Sequence, residues 1–418
     1  MGDHLAEPVS DIRSAGPAPP ARRPGPAACI YAARALRDFG DGFAAVLLPV
    51  YLAALGLGAF EVGVVSTAAL LGSSLITLAI GSFAPPAGQR ILLLGASALM
   101  FATGLAFAAS ESYSAILAIA FVGTLNPTAG NVSIFVPMEH ALLAGVAPAA
   151  KRTRMFAVYG LVGALAAAVG ALVAGSPDAL VAIGWTELAA LRVMFLLYAV
   201  LGLAGGAMCR LIPVATAPAD ERPRFALGPS KKIVYRLAAL FSVDAFAGGF
   251  AVQSLMALWL FQKFGMSLAT AGMFFFWSGL LAAFSYPAAA WLAARIGLVN
   301  TMVWTHIPSS LCLIGAALAP DLRVALGLLL ARSALSQMDV PARSSYVMAV
   351  VTPPERAAAA SVTSVPRGLA SAASPALAGA LFAAGWMAWP FIICGMLKIG
   401  YDLALLWGFR HVRPPEER

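Results

Sequence analysis

Charge is scarce in this 418-residue chain: Asp, Glu, Lys and Arg together make up only 11% of it, against roughly a quarter in an average soluble domain. So few polar groups cannot cover a water-facing surface, which excludes an ordinary soluble globular protein. Cysteine is sparse as well. Cys29, Cys209, Cys312 and Cys394 stand far apart with no CxxC spacing, which argues against a disulfide framework or a thiolate metal cluster and leaves them as packing residues. The histidines are not grouped, and neither HExxH nor GxSxG occurs. An enzyme is therefore not expected, and no cofactor or metal is implied. Residues 1–29 hold Pro, Ala and Arg without an apolar h-region, so they read as a disordered tail rather than a cleaved signal.

What is present is apolar. Hydrophobic residues make up 61% of the chain, in runs that recur about every 30 residues from Ile30 to Phe409. A helix needs about 20 apolar residues to cross the hydrocarbon core at about 1.5 Å each. Twelve segments qualify, near 30–56, 61–83, 90–110, 113–137, 155–176, 187–211, 234–262, 268–292, 298–318, 322–345, 357–383 and 386–409. Backbone in lipid must bond within its own segment, and Ala/Leu/Gly-rich runs of this length exclude barrel strands. The predicted fold class is all-α integral membrane.

The net charge of +8 does not point to nucleic acid, because the 27 Lys and Arg are sorted by loop. Arg90, Lys151/Arg152/Arg154, Arg210 to Arg236, Arg295, Arg343, Arg356 and Arg410/Arg413/Arg418 lie in alternate loops or at their edges, while the opposite loops show little beyond Arg192, Lys263 and Arg323. The positive-inside rule then places both termini in the cytoplasm of a cell (inner or plasma) membrane protein, as an even number of spans requires.

The chain also repeats itself. An offset of 209 brings Tyr51–Gly63 over Leu260–Gly272, so that Gly56 meets Gly265, Gly63 meets Gly272 and Gly88 meets Gly297. An offset of 204 puts Val136-Pro137 on Val340-Pro341, Arg152 on Arg356 and Gly175 on Gly379. Two homologous six-helix halves are predicted, 30–212 and 234–409, joined by the polar, proline-bearing linker 213–233 and followed by a tail at 410–418. Such halves form a pseudo-two-fold bundle with its site near the midplane between them.

Ionisable groups inside spans cost about 2.5–3.5 kcal/mol on insertion scales and normally face a bundle interior or water. Arg37, Asp38 and Asp41 cluster in the first span; Arg37 and Asp41 share a face, which suits either proton or substrate exchange or a static ion pair. Asp244 has no cation next to it on its own helix. Arg367 follows Pro366 near the middle of the eleventh span, where a guanidinium fork suits a carboxylate. Asp339 and Arg343 flank Val340-Pro341 as Glu139 follows Pro137, positions that fit gating or simple capping. Asn126, Pro127 and Asn131 interrupt the fourth span, with amides that suit a substrate or refill backbone bonds. Trp259, Trp277 and Tyr286 read as packing aromatics, and His306 reads as interfacial.

With twelve spans, two halves and a central linker, the chain after residue 29 resembles the major facilitator superfamily. Gly81–Arg90 (GSFAPPAGQR) has the spacing of that family's loop motif and keeps Gly81, Gly88 and Arg90, but Pro85 and Pro86 stand where the motif has Asp and Arg. The second copy, AWLAARIG, retains Arg295 and Gly297 and again lacks the Asp. Thr301–Ser310 and Ser336–Val351 are similar to strings of one permease branch. Gly160–Gly175 resembles the glycine-rich antiporter motif without its Gly-Pro pair, which Ser374-Pro375 approaches.

The resemblance implies a secondary transporter working by alternating access. Arg37, Asp38, Asp41, Asn126, Asn131, Asp244 and Arg367 are the expected substrate- or proton-binding residues. Gly81, Gly88, Arg90, Glu139, Arg295, Gly297, Asp339 and Arg343 are the expected gating residues. The expected partners are a small organic solute, protons as coupling ion and the bilayer, with the protein a monomer. Proton-coupled efflux of a partly apolar solute leads; the alternatives are proton symport of a small anionic metabolite into the cell and a transport-inactive protein of the same fold.

Overall fold

The computed structural model describes residues 25–83, 88–129, 133–146, 152–212, 227–352 and 355–410. Most of the expected tail and linker, residues 411–418, and Pro85, Pro86, Asn131 and Lys151 lie outside the described residues. Among the described residues the chain forms sixteen helices and no strand. The N-terminal half contains α1 (Pro26–Ala54), α2 (Ala59–Phe83), α3 (Gln89–Ala109), α4 (Tyr113–Val122), α5 (Phe135–Val146), α6 (Arg152–Val173), α7 (Ser176–Ala182) and α8 (Glu187–Arg210). The C-terminal half contains α9 (Lys231–Gly249), α10 (Gln253–Phe264), α11 (Leu268–Ile296), α12 (Leu298–Leu318), α13 (Leu322–Ser336), α14 (Asp339–Val350), α15 (Arg356–Ala383) and α16 (Trp389–Phe409).

Twelve passes account for these helices. Passes four, seven and ten are each broken in two, as α4/α5, α9/α10 and α13/α14, and α7 is a short helix after pass five. Eight helical segments are long and apolar enough to cross a membrane on composition alone. The passes that fall short are α1, with Arg34, Arg37, Asp38 and Asp41, the broken passes four and ten, and α15, diluted by Ser, Pro366 and Arg367. α1 begins at Pro26, before the predicted residue 30, because proline at a helix start gives up an N–H that has no intrahelical partner there.

Pass four breaks where the Asn126 side chain folds back: its Oδ1 accepts from Thr128 N (2.9 Å) and Thr128 Oγ1 (2.7 Å). The freed Pro127 carbonyl accepts from Ser254 N at 3.1 Å, in the first turn of α10, where helix N–H groups lack intrahelical partners. The break in one half is thus bonded to the break in the other.

Neighbour relations repeat between halves. α1 packs on α6 and α8 as α9 packs on α15 and α16; α3 packs on α8 as α12 packs on α16; α2 packs on α4 as α11 packs on α13. Across the interface α2 meets α15 and α6 meets α11, contacts that a two-fold axis would exchange.

The glycines of the internal repeat have a steric reason. Gly56 (φ +80°) and Gly265 (φ +62°) end passes one and seven in the left-handed region, where a side chain is strained. A Cβ on Gly63 would lie 2.5 Å from Pro375 O and 2.9 Å from Gly379 Cα, and one on Gly272 would lie 2.6 Å from Ala171 O. Gly175 likewise leaves no room beside Ala269 Cα, at 2.7 Å. Gly63 and Gly379, with Gly175 and Gly272, close the two halves on each other at the end opposite the linker. Hydrogen bonds crossing there join Asp178 Oδ2 to Ala269 N (3.0 Å), Thr67 Oγ1 to Ala376 N (3.0 Å) and Ser66 to Ser254 (3.1 Å).

At the linker end the last described linker residues are pinned to the connection between α14 and α15. Glu355 accepts from Gly228 N, from Ser230 Oγ (2.6 Å) and N (3.3 Å), and from Thr352 Oγ1 (2.5 Å).

Candidate functional site

Between the closed end and the linker end lies a cavity of 590 Å³ lined by both halves. Its walls are chemically unlike. The N-terminal wall is built from α2, the α4–α5 connection and α6, and among the described lining residues it offers hydroxyls such as Ser74, Thr77, Thr128 and Ser133, alanines such as Ala164 and Ala167, and no ionisable side chain. The C-terminal wall carries Asp244, His306, Arg332, Asp339, Arg343, Arg367 and Lys398. Among the described residues no group of three His, Cys, Asp or Glu stands ready to hold a metal ion.

Most of these charges are paired. Lys398 Nζ lies 2.6 Å from Asp244 Oδ1, and Arg343 Nη1 lies 3.1 Å from Asp244 Oδ2 and 2.8 Å from Asp339 Oδ2. Lys398 Nζ is also 3.2 Å from His306 Nε2, and the far ring nitrogen, Nδ1, is 3.1 Å from both carboxylate oxygens of the fully buried Asp402. Arg332 and Arg367 differ: among the described residues neither has a carboxylate in ion-pair contact, and the buried Arg367 Nε has no hydrogen-bond partner.

A second cluster is sealed inside the N-terminal half. Arg37 Nη1 bonds Glu139 Oε1 at 2.6 Å and its Nε lies 3.3 Å from Asp38 Oδ1, while Arg34 Nε lies 2.6 Å from Asp38 Oδ2. Tyr159 donates to the other Glu139 oxygen and accepts from Arg34 Nη1 at 3.1 Å. Asp41 accepts from Tyr198 Oη at 3.1 Å, and the same hydroxyl also reaches Thr124 O. The two clusters join corresponding passes with their signs exchanged, and the offset of 204 puts Glu139 on Arg343. Pass one gives the cation Arg37 to the acid Glu139 of pass four, and pass seven gives the acid Asp244 to the cation Arg343 of pass ten.

The predicted site residues therefore divide. Asp244, Arg367, Asp339 and Arg343 meet at the cavity. Arg37, Asp38, Asp41 and Glu139 do not line it; the first three sit on the face of α1 turned toward α5, α6 and α8, Glu139 faces them from α5, and each is 3% exposed or less. Asn126 is spent on the turn of pass four. Of the expected gating residues, Gly81 falls at the end of α2, and Gly88 precedes α3 as its cap. Arg90 donates to Arg210 O at 2.6 Å within the N-terminal half, Arg295 stacks over Trp291 at 4.0 Å, and Gly297 turns between α11 and α12 at φ +86°.

His306, read above as interfacial, is 4% exposed in the charged wall, and Tyr286, read as packing, also lines the cavity. Arg332, Lys398 and Asp402 were passed over, although each stands well inside an apolar pass. Lys398 is nine residues into α16 and Arg332 ten into α13, some 14–15 Å at 1.5 Å per residue. Depth within the pass was the signal that could have found them.

With this geometry in place, the comparisons with known proteins are consistent. The model of the Major Facilitator Superfamily matches residues 30–331 and, in an overlapping match, 237–418. An uncharacterized membrane protein of Saccharomyces cerevisiae is 24% identical over 412 residues, covering 90% of this chain and 92% of that one. Among solved structures, the D-xylose-proton symporter shares the fold at 17% identity and a TM-score of 0.67, covering 94% of this chain and 98% of that one. The human organic anion transporter MFSD10 (TETRAN) does so at 18% identity and 0.64, over 93% and 100%. A bacterial homolog of the human lysosomal transporter Spinster, inward-facing and unoccupied, does so at 14% and 0.64, over 91% and 94%.

Proposed function

The chain belongs to the major facilitator superfamily, and on that premise we propose that this membrane transporter carries a small organic anion by alternating access. One observation carries the reading. Among the described residues the cavity wall displays Arg332, Arg343, Arg367 and Lys398 against only Asp244 and Asp339, and the pairs described above leave Arg332 and Arg367 over. A guanidinium held out of water without a counter-charge is costly, and a carboxylate supplies both charge and paired acceptors. A neutral, partly apolar cargo would leave both groups uncompensated, so the anionic alternative replaces it. The neighbour that transports organic anions supports the reading only in that such a fold accommodates them.

The cavity is sealed at the end opposite the linker, so with the linker in the cytoplasm this conformation faces inward. Rocking about the α2–α15 and α6–α11 contacts would then expose the cavity to the other side. Imposed proton gradients drive the cycle, in the direction that the gradient sets.

Proteoliposomes under an imposed pH gradient test this with radiolabelled benzoate and succinate against glucose. Arg367→Gln removes a charge-assisted contact worth about 1.5–3 kcal/mol, so anion uptake should fall about tenfold to a hundredfold. Glucose uptake that is insensitive to the substitution, with no anion uptake, would refute the reading. No solute-dependent flux at all would favour a transport-inactive protein.

A further inference from the structure

His306 sits where an anion and a proton would meet. Lys398 Nζ, charged through its 2.6 Å contact with Asp244, carries only hydrogens to offer. At 3.2 Å from His306 Nε2 it requires that nitrogen to present a lone pair. The ring's proton is then on Nδ1, donated to Asp402 3.1 Å away. The titratable and charged groups facing the ring or sharing its cavity are Asp244 from α9 (3.8 Å from Nε2), Lys398, Asp402 and Tyr401 from α16, Arg343 from α14 through Asp244, Arg332 from α13, Tyr286 from α11 and Arg367 from α15. Two carboxylates flank the ring, one on each nitrogen's side, and a single ammonium keeps the second proton off.

We propose that His306 is the proton-binding site of the transport cycle, loaded when a bound anion draws the Lys398 ammonium away from the ring. This rests on the anion reading above. An anion at the cationic wall competes with Asp244 and His306 for Lys398. Once the ammonium turns to the cargo, Nε2 is bare and faces the cavity and the Asp244 carboxylate. A proton from cavity water binds there, giving an imidazolium held between Asp402 and Asp244. Anion and proton then travel together, and for a monoanion the pair is electrically neutral. When the anion leaves, Lys398 returns, and the proton on Nε2 returns to water. Asp402 is a positioning residue: it accepts from Nδ1, holds the ring with Nε2 toward Lys398 and touches no cargo.

The test reads the ring directly. The full chain, labelled with ¹⁵N-histidine and held in phosphatidylethanolamine–phosphatidylglycerol nanodiscs, has four histidines, His4, His140, His306 and His411; His306→Gln assigns the signal of interest. In the wild type at neutral pH the ring should be neutral with its proton on Nδ1, and in Lys398→Met it should be doubly protonated. Asp402→Asn, which keeps Lys398, should instead leave the ring neutral with its proton still on Nδ1, donated to the amide oxygen, so the reading does not depend on one variant folding. A ring that is doubly protonated in the wild type, or still neutral in Lys398→Met, overturns the proposal. In a second measurement, benzoate or succinate added to weakly buffered protein should cause proton uptake per anion bound in the wild type and none in His306→Gln, with radiolabelled anion binding measured on both proteins alongside. Equal uptake in both would also overturn it. Failure of either anion to bind counts against the anion reading alone, because the ring's tautomer is measured without it.

Discussion

Replacing Arg37 by Met is the most direct test of how the N-terminal half is held together. The side chain is 4% exposed and supplies the only cation bonded to Glu139 among the described residues, at 2.6 Å, while Asp38 keeps Arg34 at 2.6 Å. The loss therefore falls on Glu139, left ionised in a dry interior with Tyr159 as its remaining donor. Removing one partner of a buried pair typically costs about 3–5 kcal/mol. Removing both charges in Arg37→Met/Glu139→Gln should cost far less, so a double-mutant cycle should return a coupling of about 2–3 kcal/mol. Thermal unfolding followed by tryptophan fluorescence, in one detergent and at one scan rate, measures the order of the four proteins. The double variant should also still bind the anion, because neither residue lines the cavity. A double variant as unstable as the two single losses added together would refute the reasoning, as would a stable one that no longer binds.

Tyr198→Phe removes the hydroxyl shared by Asp41 and Thr124 and should cost about 1–3 kcal/mol in the same unfolding assay; an unchanged midpoint would mean that another donor takes its place. Gly63→Val places a branched side chain where even a Cβ would lie 2.5 Å from Pro375 O. The end opposite the linker should then fail to seal, seen as loss of transport and faster labelling of a cysteine introduced at Thr67. At the linker end, hydrogen bonds from Ser230 and Thr352 hold the Glu355 carboxyl down at about 2, below its ordinary 4.5. A depressed carboxyl gives stability that is complete above the unfolded value and lost as pH falls through the folded one. Protection of the Gly228 and Ser230 amides, taken as exchange relative to the free-amide rate at the same pH, should therefore fall as pH drops from 4.5 toward 2, and in Glu355→Gln it should be low throughout.

The passes were legible because lipid imposes length and composition on them, and the repeat was legible because its glycines are fixed by sterics: Gly63, Gly175, Gly272 and Gly379 mark close backbone approaches. The breaks were legible only in part. Asn126-Pro127 announces one, but pass seven breaks at Phe250–Val252 with no proline, where Ser254 N is satisfied from the other half. The site was the least legible. Asp41 and Asp244 are both acids inside the first pass of a half, yet one is turned into its own half and the other toward the cavity, a matter of helix rotation set by neighbours. Lys398 and Arg332 each stand as one cation inside a run otherwise almost wholly apolar, so the run reads as an ordinary span and the charge does not interrupt it.

The unlike walls of the cavity have a consequence for how such a carrier diversifies. The charged side chains are confined to one wall, so an anionic cargo of the kind proposed would stay tethered to that side while the other slides past it on methyl and hydroxyl groups. Enlarging Ala164 or Ala167 would therefore trim the range of cargo sizes without touching the preference for negative charge, and size and sign could drift independently in descendants of this chain.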